Sequence, residues 1–468
     1  MRTKITFVVF LLFFLTFSTA QAPSTAIGGG EFVFNPTKNS CLTTAQRTII
    51  KQDLKTNVSA LKLQNKLAFR SSTNSENHPL FIWPVQKANN VIFNDVWAIS
   101  GYVDHNSSYP NQLTDYNCGT KTYDTADGYN HQGVDIYNWP FSWKLMDDDA
   151  VEIIAAAPGQ ILAKHDGEFD RSCSFNNNIW NAIYVQHDDG SVAWYGHMKN
   201  GSLSPKNVGD SVAQGEYLGI VGSSGNSTGP HLHFEVYTDA SFTQLVDPFA
   251  GDCNNMNSTS WWADQRPYID SNINALMTHS QVPDAFPECP TTETTYERND
   301  FDISEDIYMS LYLRDQVNNI PLLLKVIRPD GSYLYEWSYT PTGNYSSAYY
   351  YWYFPVDAVG TWTWQVTYQG QTESHTFNVT DQLGIDDLIL ENTSIYPNPF
   401  NTTIKIESKT KITSASIVNV LGKSILEFKA NSAEGISHLN LAELSNGMYF
   451  VILKGDDNQK KTVKIIKK

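Results

Sequence analysis

Basic residues are scarce in this chain of 468 residues: 32 Lys and Arg stand against 49 Asp and Glu, a net charge of −17. A charge of that sign repels phosphate backbones and anionic headgroups, so no nucleic-acid partner is expected. Long apolar runs are also missing. The run Ile5 to Phe17 is too short to cross a bilayer, and no other stretch approaches 18 apolar residues, so no stable membrane span is expected. Cysteine is sparse, and the odd count (Cys41, Cys118, Cys173, Cys253 and Cys289) leaves at least one thiol unpaired. No internal repeat covers the chain, although two consecutive β-sandwich-like units are expected.

Aromatic residues are plentiful. With 25 Tyr, 23 Phe and 12 Trp and 41% hydrophobic residues, extensive disorder is excluded. The length suits about three domains. The first residues, Met1-Arg2-Thr3-Lys4, the apolar run and then Ser18-Thr19-Ala20 have the three regions of a secretory signal peptide, expected to span 1–20. An exported chain permits disulfides, and neighbouring cysteines suggest Cys118 with Cys173 and Cys253 with Cys289, leaving Cys41 over. The segment from Ser394 onward carries 11 Lys against 6 Asp and Glu, or +5, which leaves −22 for everything before it. That asymmetry marks the tail as a separate unit.

Between these ends the texture changes three times. In residues 21–78, Ile49, Ile50, Leu54, Val58, Leu61 and Leu63 recur at roughly helical spacing and predict one amphipathic helix over Thr43 to Leu63. Residues 79–289 turn to short strand-like runs broken by Gly, Asp and Asn: Val151–Ile154, Gln160–Ala163, Ala182–His187, Ser191–Tyr195 and His233–Tyr237. In residues 290–380, Trp362, Trp364, Val366 and Tyr368 alternate with polar residues, which predicts an immunoglobulin-like β-sandwich. An acidic linker at 381–393 leads to further strands in 394–468. The fold class expected is mainly β.

Six of the eleven histidines fall between residues 131 and 233. In His231-Leu232-His233-Phe234 the two imidazoles are two residues apart, so on a strand they share one face while Leu232 and Phe234 fill the other. His131-Gln132-Gly133-Val134-Asp135 adds a further His and a carboxylate. Two His and one Asp are a set that a catalytic Zn(II) takes while leaving a fourth position open. Gly133 in this stretch, and the lack of any His-Glu-x-x-His pattern, put such ligands on strands and loops rather than on a helix.

The context of these residues is specific. The Gly-rich approach Val221-Gly222-Ser223-Ser224-Gly225-Asn226-Ser227-Thr228-Gly229-Pro230 runs straight into His231-Leu232-His233, and Tyr195-Gly196-His197-Met198 lies upstream. With the His131 motif, residues Pro79 to Asp252 closely resemble the LytM/lysostaphin-type (β-lytic) zinc metallopeptidases. The resemblance implies an antiparallel β-sheet peptidase domain, with one Zn(II) per chain on His131, Asp135 and His233. It implies His197 and His231 as a catalytic pair beside the metal. Its usual targets imply peptidoglycan cross-links or Gly-rich peptides as substrate. General extracellular protein digestion is the runner-up, because the acidity before the tail opposes anionic wall polymers. A non-catalytic LytM-like wall-binding protein or adhesin is the third reading, although such proteins typically lose ligands and all five positions are filled here.

Other residues carry plainer expectations. Glu235 shares the face of His231 and His233 but is expected to be structural, as are His165 and His187. Tyr123 and Tyr129 are expected to wall the groove, and Asp147-Asp148-Asp149 to form a solvated loop. Ser394-Ile395-Tyr396-Pro397-Asn398-Pro399-Phe400, Ile417 to Lys423, Leu441 to Val451 and the basic end resemble a C-terminal sorting domain of the type IX secretion system, a small β-sandwich. That resemblance implies the secretion machinery as a partner and a secreted or cell-surface location, reached through the signal peptide and then this tail.

Overall fold

A computed structural model describes residues 25–34, 39–67, 78–283, 293–381, 393–420, 422–430, 435–455 and 460–468. The expected signal peptide, nearly all of the 381–393 linker and Cys289 lie outside them. Residues 1–380 and 381–468 form two compact units, and the fold is mainly β, with a LytM-like catalytic domain in the first.

The catalytic domain is organised around an antiparallel sheet in which Trp97–Gly101, Val134–Asn138, His231–Tyr237, Val192–Gly196, Ala182–Gln186, Gly159–His165 and Ser211–Val212 lie side by side, with Leu245–Val246 paired to the far end of His231–Tyr237. A smaller sheet joins Tyr217–Ile220, Val151–Ile154 and Val85–Lys87. Pleating sends alternate residues of the central strand to opposite sides. Leu232, Phe234 and Val236 enter one core with Ile136, Tyr195 and Ile153. His231, His233, Glu235 and Tyr237 take the other side, and all seven residues of the strand are buried.

What covers that second side is the N-terminal segment. Helix Thr44–Leu63 starts at a capping box in which Thr43 and Gln46 exchange side-chain and backbone hydrogen bonds. Its stripe Ile50, Leu54, Val58 and Leu61 packs on Leu162, Trp180, Tyr184, Trp194 and Tyr237, whereas Ile49 and Leu63 face solvent. Each such buried side chain is worth about 1.5–3 kcal/mol. Upstream, Gly28–Glu31 adds an edge strand to Tyr345–Tyr353 of the next domain, so the segment is pinned at both ends.

That next domain is a two-sheet sandwich. One sheet has the order Gly28–Glu31, Tyr345–Tyr353, Tyr308–Gln316, Asn272–His279, and the other Asp300–Asp302, Gln371–Thr380, Gly360–Tyr368, Leu322–Ile327, Tyr333–Tyr339. Strand Asn272–His279 thus enters the sandwich from the N-terminal side of the 289/290 boundary drawn from the sequence. Trp362, Trp364, Val366 and Tyr368 point inward as the alternation demands. Arg314 of the sandwich lies over the Trp97 ring at 3.8 Å and pairs with Asp95 at 2.7 Å, tying the sandwich to the catalytic domain.

The C-terminal unit holds two sheets, Ser394–Tyr396, Thr403–Glu407, His438–Asn440 and Ser424–Lys429, Ile412–Asn419, Gly447–Gly455, Lys460–Lys467. Its core includes Phe400, Ile404, Ile417, Val451, Leu453 and Ile465.

The cysteine pairing expected from the sequence is corrected. Cys118 is bonded to Cys253, with Cα atoms 5.1 Å apart across 135 residues, so neither Cys118–Cys173 nor Cys253–Cys289 forms. The reason is local: the turn Asp115–Gly119 folds back so that Cys253 N–H donates to Tyr116 O at 3.0 Å, which brings the two thiols together. Cys173 is also disulfide-bonded. Cys41 is free, as expected, and buried.

Candidate metal centre and catalytic site

The register of the sheet creates the site. Strands Val134–Asn138 and His231–Tyr237 pair with Asp135 directly opposite His233 and Tyr137 opposite His231. Directly opposite residues share a face, so the carboxylate and both imidazoles emerge on the covered side. Asp135 Oδ1 lies 2.8 Å from His233 Nδ1 and 3.9 Å from His231 Nε2, and Asp135 Oδ2 lies 3.1 Å from His131 Nε2. Gly133 is required here because a Cβ at that position would sit 2.6 Å from His233 Cε1.

Every histidine of the cluster is oriented by an acceptor behind it. His131 Nδ1–H donates to Tyr102 O at 2.7 Å, and its ring stacks on Tyr123 with centroids 4.3 Å apart. His197 Nδ1–H donates to Ser224 O at 2.6 Å and His231 Nδ1–H to Gly229 O at 2.9 Å. The Gly- and Ser-rich stretch before His231 therefore presents the carbonyls that fix both rings, which lie 4.3 Å apart. His197 has a left-handed backbone, φ 63°, which turns its side chain back over the sheet. His233 Nε2–H donates to Glu235 Oε2 at 2.9 Å, leaving Nδ1 to face Asp135.

Electrostatics follow from enclosure. Burial alone would raise the Asp135 carboxyl, but the charge of the neighbouring His131 and the hydrogen bond from His233 hold it well below the usual carboxylate range. Burial opposes charge on His131 too, yet Asp135 raises it to about 9. His197 is lowered by burial and by the neighbouring His231, which keeps it neutral. Glu235 resists burial because Arg47 stands against it, and is held at about 2.

The residues fit a zinc ion. His131 Nε2 is buried and makes no hydrogen bond, although Asp135 Oδ2 is 3.1 Å away. With His233 Nδ1, they form one group of potential ligand atoms mutually within 4.8 Å, which also includes Cys41. His197 and His231 form a second such group, again with Cys41. All five residues singled out in the sequence are therefore brought together.

The remaining expectations divide. His187 and His165 lie outside the cluster, with Nδ1 of the first on Pro158 O and Nε2 of the second on Glu168. Asp147, Asp148 and Asp149 pair separately with Arg171, Lys144 and Lys199. Tyr123 lies against the cluster and its hydroxyl meets Cys41 Sγ at 2.8 Å. Glu235 is more than structural filler, since it bridges His233 and Arg47 Nη1, the latter at 2.6 Å with both side chains buried. Sequence reasoning missed Arg47 and the placement of Cys41. Both left a signal: Arg47 falls on the apolar stripe of its helix, and Cys41 is the odd thiol.

Known proteins match two parts of the chain. Residues 146–248 match the model of Peptidase family M23, a span that contains His197, His231 and His233 and stops short of His131 and Asp135. Residues 394–468 match the Secretion system C-terminal sorting domain. Similar curated proteins include the peptidoglycan DD-endopeptidase ShyC of Vibrio cholerae, 29% identical over 96 residues (20% of this chain, 21% of that protein). The cell division protein DipM of Caulobacter vibrioides is 33% identical over 110 residues (20% and 18%). The chain thus spans about a fifth of the length of these relatives. Among solved structures, the catalytic domain of lysostaphin from Staphylococcus simulans is 24% identical, covering 32% of this chain and 85% of that one at a TM-score of 0.20.

Proposed function

We propose that this chain, which carries a LytM-type peptidase family M23 domain and a type IX sorting tail, is an exported zinc metalloendopeptidase. It cuts peptide bonds in peptidoglycan cross-links or Gly-rich peptides. In this reading residues 1–20 are the export signal, 79–289 the catalytic region, 290–380 a sandwich and 394–468 the sorting domain. The observation that supports the catalytic reading is the clustering, within 4.8 Å of one another, of ligand atoms on His131, Asp135 and His233, with His131 Nε2 buried and unpartnered.

Those three residues would hold one Zn(II). The metal, when bound, polarises the scissile carbonyl and activates water. His197 and His231 handle protons. With Nδ1–H committed to a carbonyl, each neutral ring can only accept at Nε2. Once it has taken a proton from water, the same Nε2–H can donate to the departing amine. Glu235 orients His233 by accepting its Nε2 proton, so Nδ1 keeps its lone pair.

An Asp135→Ala variant is expected to lose nearly all its zinc. His197→Ala and His231→Ala should retain zinc and lose turnover by about 100- to 10,000-fold. Full zinc occupancy in Asp135→Ala would refute the ligand assignment, and metal loss in His231→Ala would exchange its role with that of His233. The net charge of −17 keeps general protein digestion as the second reading. Incubating the protein with peptidoglycan and with a Gly-rich protein, then mapping the new amino termini by mass spectrometry, separates the two.

A further inference from the structure

Cys41 is the unpaired thiol among the described residues, 4% exposed, and it belongs to both halves of the catalytic cluster. Its Sγ is within 4.8 Å of ligand atoms on His131, Asp135 and His233, and within the same limit of His197 and His231. No other residue of the cluster belongs to both groups. The two groups that share its sulfur also contain His131 and His197, whose Nε2 atoms are both buried and unpartnered. Behind the sulfur, Tyr123 Oη lies 2.8 Å away and can donate to it, the outer support that a metal-bound thiolate takes.

The chain on either side holds Cys41 in place. Phe34 stacks on Tyr137 at 4.4 Å and meets the edge of His231 at 5.7 Å. Asn226, from the loop that orients the catalytic histidines, donates to Ser40 O. Immediately after Cys41 and the buried Leu42 come the Thr43 cap, the Gln46 amide on Asn177 O and Asn178 O, and the Arg47 bridge to Glu235. One turn of helix therefore ties the thiol to the residue that orients His233.

We propose that Cys41 is a built-in fourth ligand that keeps the full chain latent. This rests on the zinc reading above. As sulfur takes the fourth position the thiol gives up its proton to solvent, since thiolate is the binding form. The position that water and a substrate carbonyl need is then filled by the chain itself. The helix over the sheet closes the approach, and activity requires Cys41 to leave.

Cobalt substitution of the full chain tests this, because a thiolate on Co(II) gives a near-ultraviolet charge-transfer band that imidazole and carboxylate do not. The wild type is expected to show that band and Cys41→Ser to lack it, each binding one cobalt. With zinc restored, Cys41→Ser should cleave a short Gly-rich peptide faster, by about tenfold if the plug is closed in nine molecules of ten. One bound cobalt without the band in the wild type would overturn the ligation. A band that disappears in the variant with no gain in turnover would overturn the latency. Failure of both chains to bind cobalt would instead remove the zinc reading, and this inference with it.

Discussion

His131 and His197 in the catalytic domain and His279 in the sandwich are all fully buried, and each spends its Nδ1 proton on a backbone carbonyl: Tyr102, Ser224 and Thr295 respectively. They differ at Nε2. In the sandwich, Ser310 Oγ lies 2.6 Å from that nitrogen and donates to it. In the catalytic domain the same atom of both residues makes no hydrogen bond. A buried polar atom left unpaired costs about 1–3 kcal/mol, and here two such atoms belong to groups of potential metal ligands that share one thiol. Burial and residue type are the same in both regions. What sets His131 and His197 apart from His279 is an unsatisfied second nitrogen combined with membership of a ligand cluster; His187, buried with its Nε2 also unpartnered, lies outside that cluster.

The largest expected effect breaks the comparison at that nitrogen. His131→Gln should strip zinc and abolish turnover, while His279→Gln should leave zinc content and turnover close to wild type. Parallel metal analysis and peptide cleavage on the two variants decide it. Equal metal loss in both would mean that the unpartnered nitrogen carries no special role.

A smaller effect probes the sandwich through its packing. Trp364 is fully buried, stacks near Trp337 at 5.9 Å and donates its indole N–H to Ser310 O at 3.1 Å, the same residue that satisfies His279. Trp364→Ala should cost about 3–5 kcal/mol of stability without changing zinc per folded molecule. Thermal unfolding with metal analysis of the soluble fraction checks both parts, and an unchanged midpoint would show that the site collapses around the cavity.

The two regions also differ in how far the sequence could be read. In Gly360–Tyr368 the two-residue alternation is the whole account: Trp362, Trp364, Val366 and Tyr368 go in, and the residues between them are partly or fully exposed. The same alternation in His231–Tyr237 shows which residues share a face, but that both faces are buried depends on a helix about 170 residues upstream. No local pattern carries that. Asp135 and His233 were legible as partners in type, because their chemistry suits zinc, whereas their direct opposition comes from strand register. The disulfide was misread because sequence proximity says little about which Cα atoms come within reach, and the turn at Asp115–Gly119 brings Cys118 to a residue 135 positions away. Arg47 went unread because a cation on an apolar stripe finds its reason only in Glu235, on another element.

The smallest expected effect uses acid to turn the satisfied histidine into an unsatisfied one. Burial lowers His279 from its ordinary value to about 4, against the pull of Thr295 O, and the nearby His375, itself lowered to about 4 by burial, adds to the depression. The neutral ring accepts from Ser310 at Nε2. Protonation would place a hydrogen on that nitrogen and force the hydroxyl to reverse. Because the folded value lies below the unfolded one of about 6.5, the unfolded chain binds the extra proton first as pH falls. The stability from His279 is therefore complete above about pH 6.5 and is lost progressively towards pH 4, by about 3 kcal/mol in all. A His279→Gln variant lacks this titration, so its loss of stability between pH 7 and pH 4 should be smaller than the wild type's by about that amount. Denaturant unfolding of both chains across this range makes the measurement. Parallel pH dependence in the two would show that His279 changes charge equally in the folded and unfolded states, and would end the claim that its second nitrogen is satisfied only when neutral.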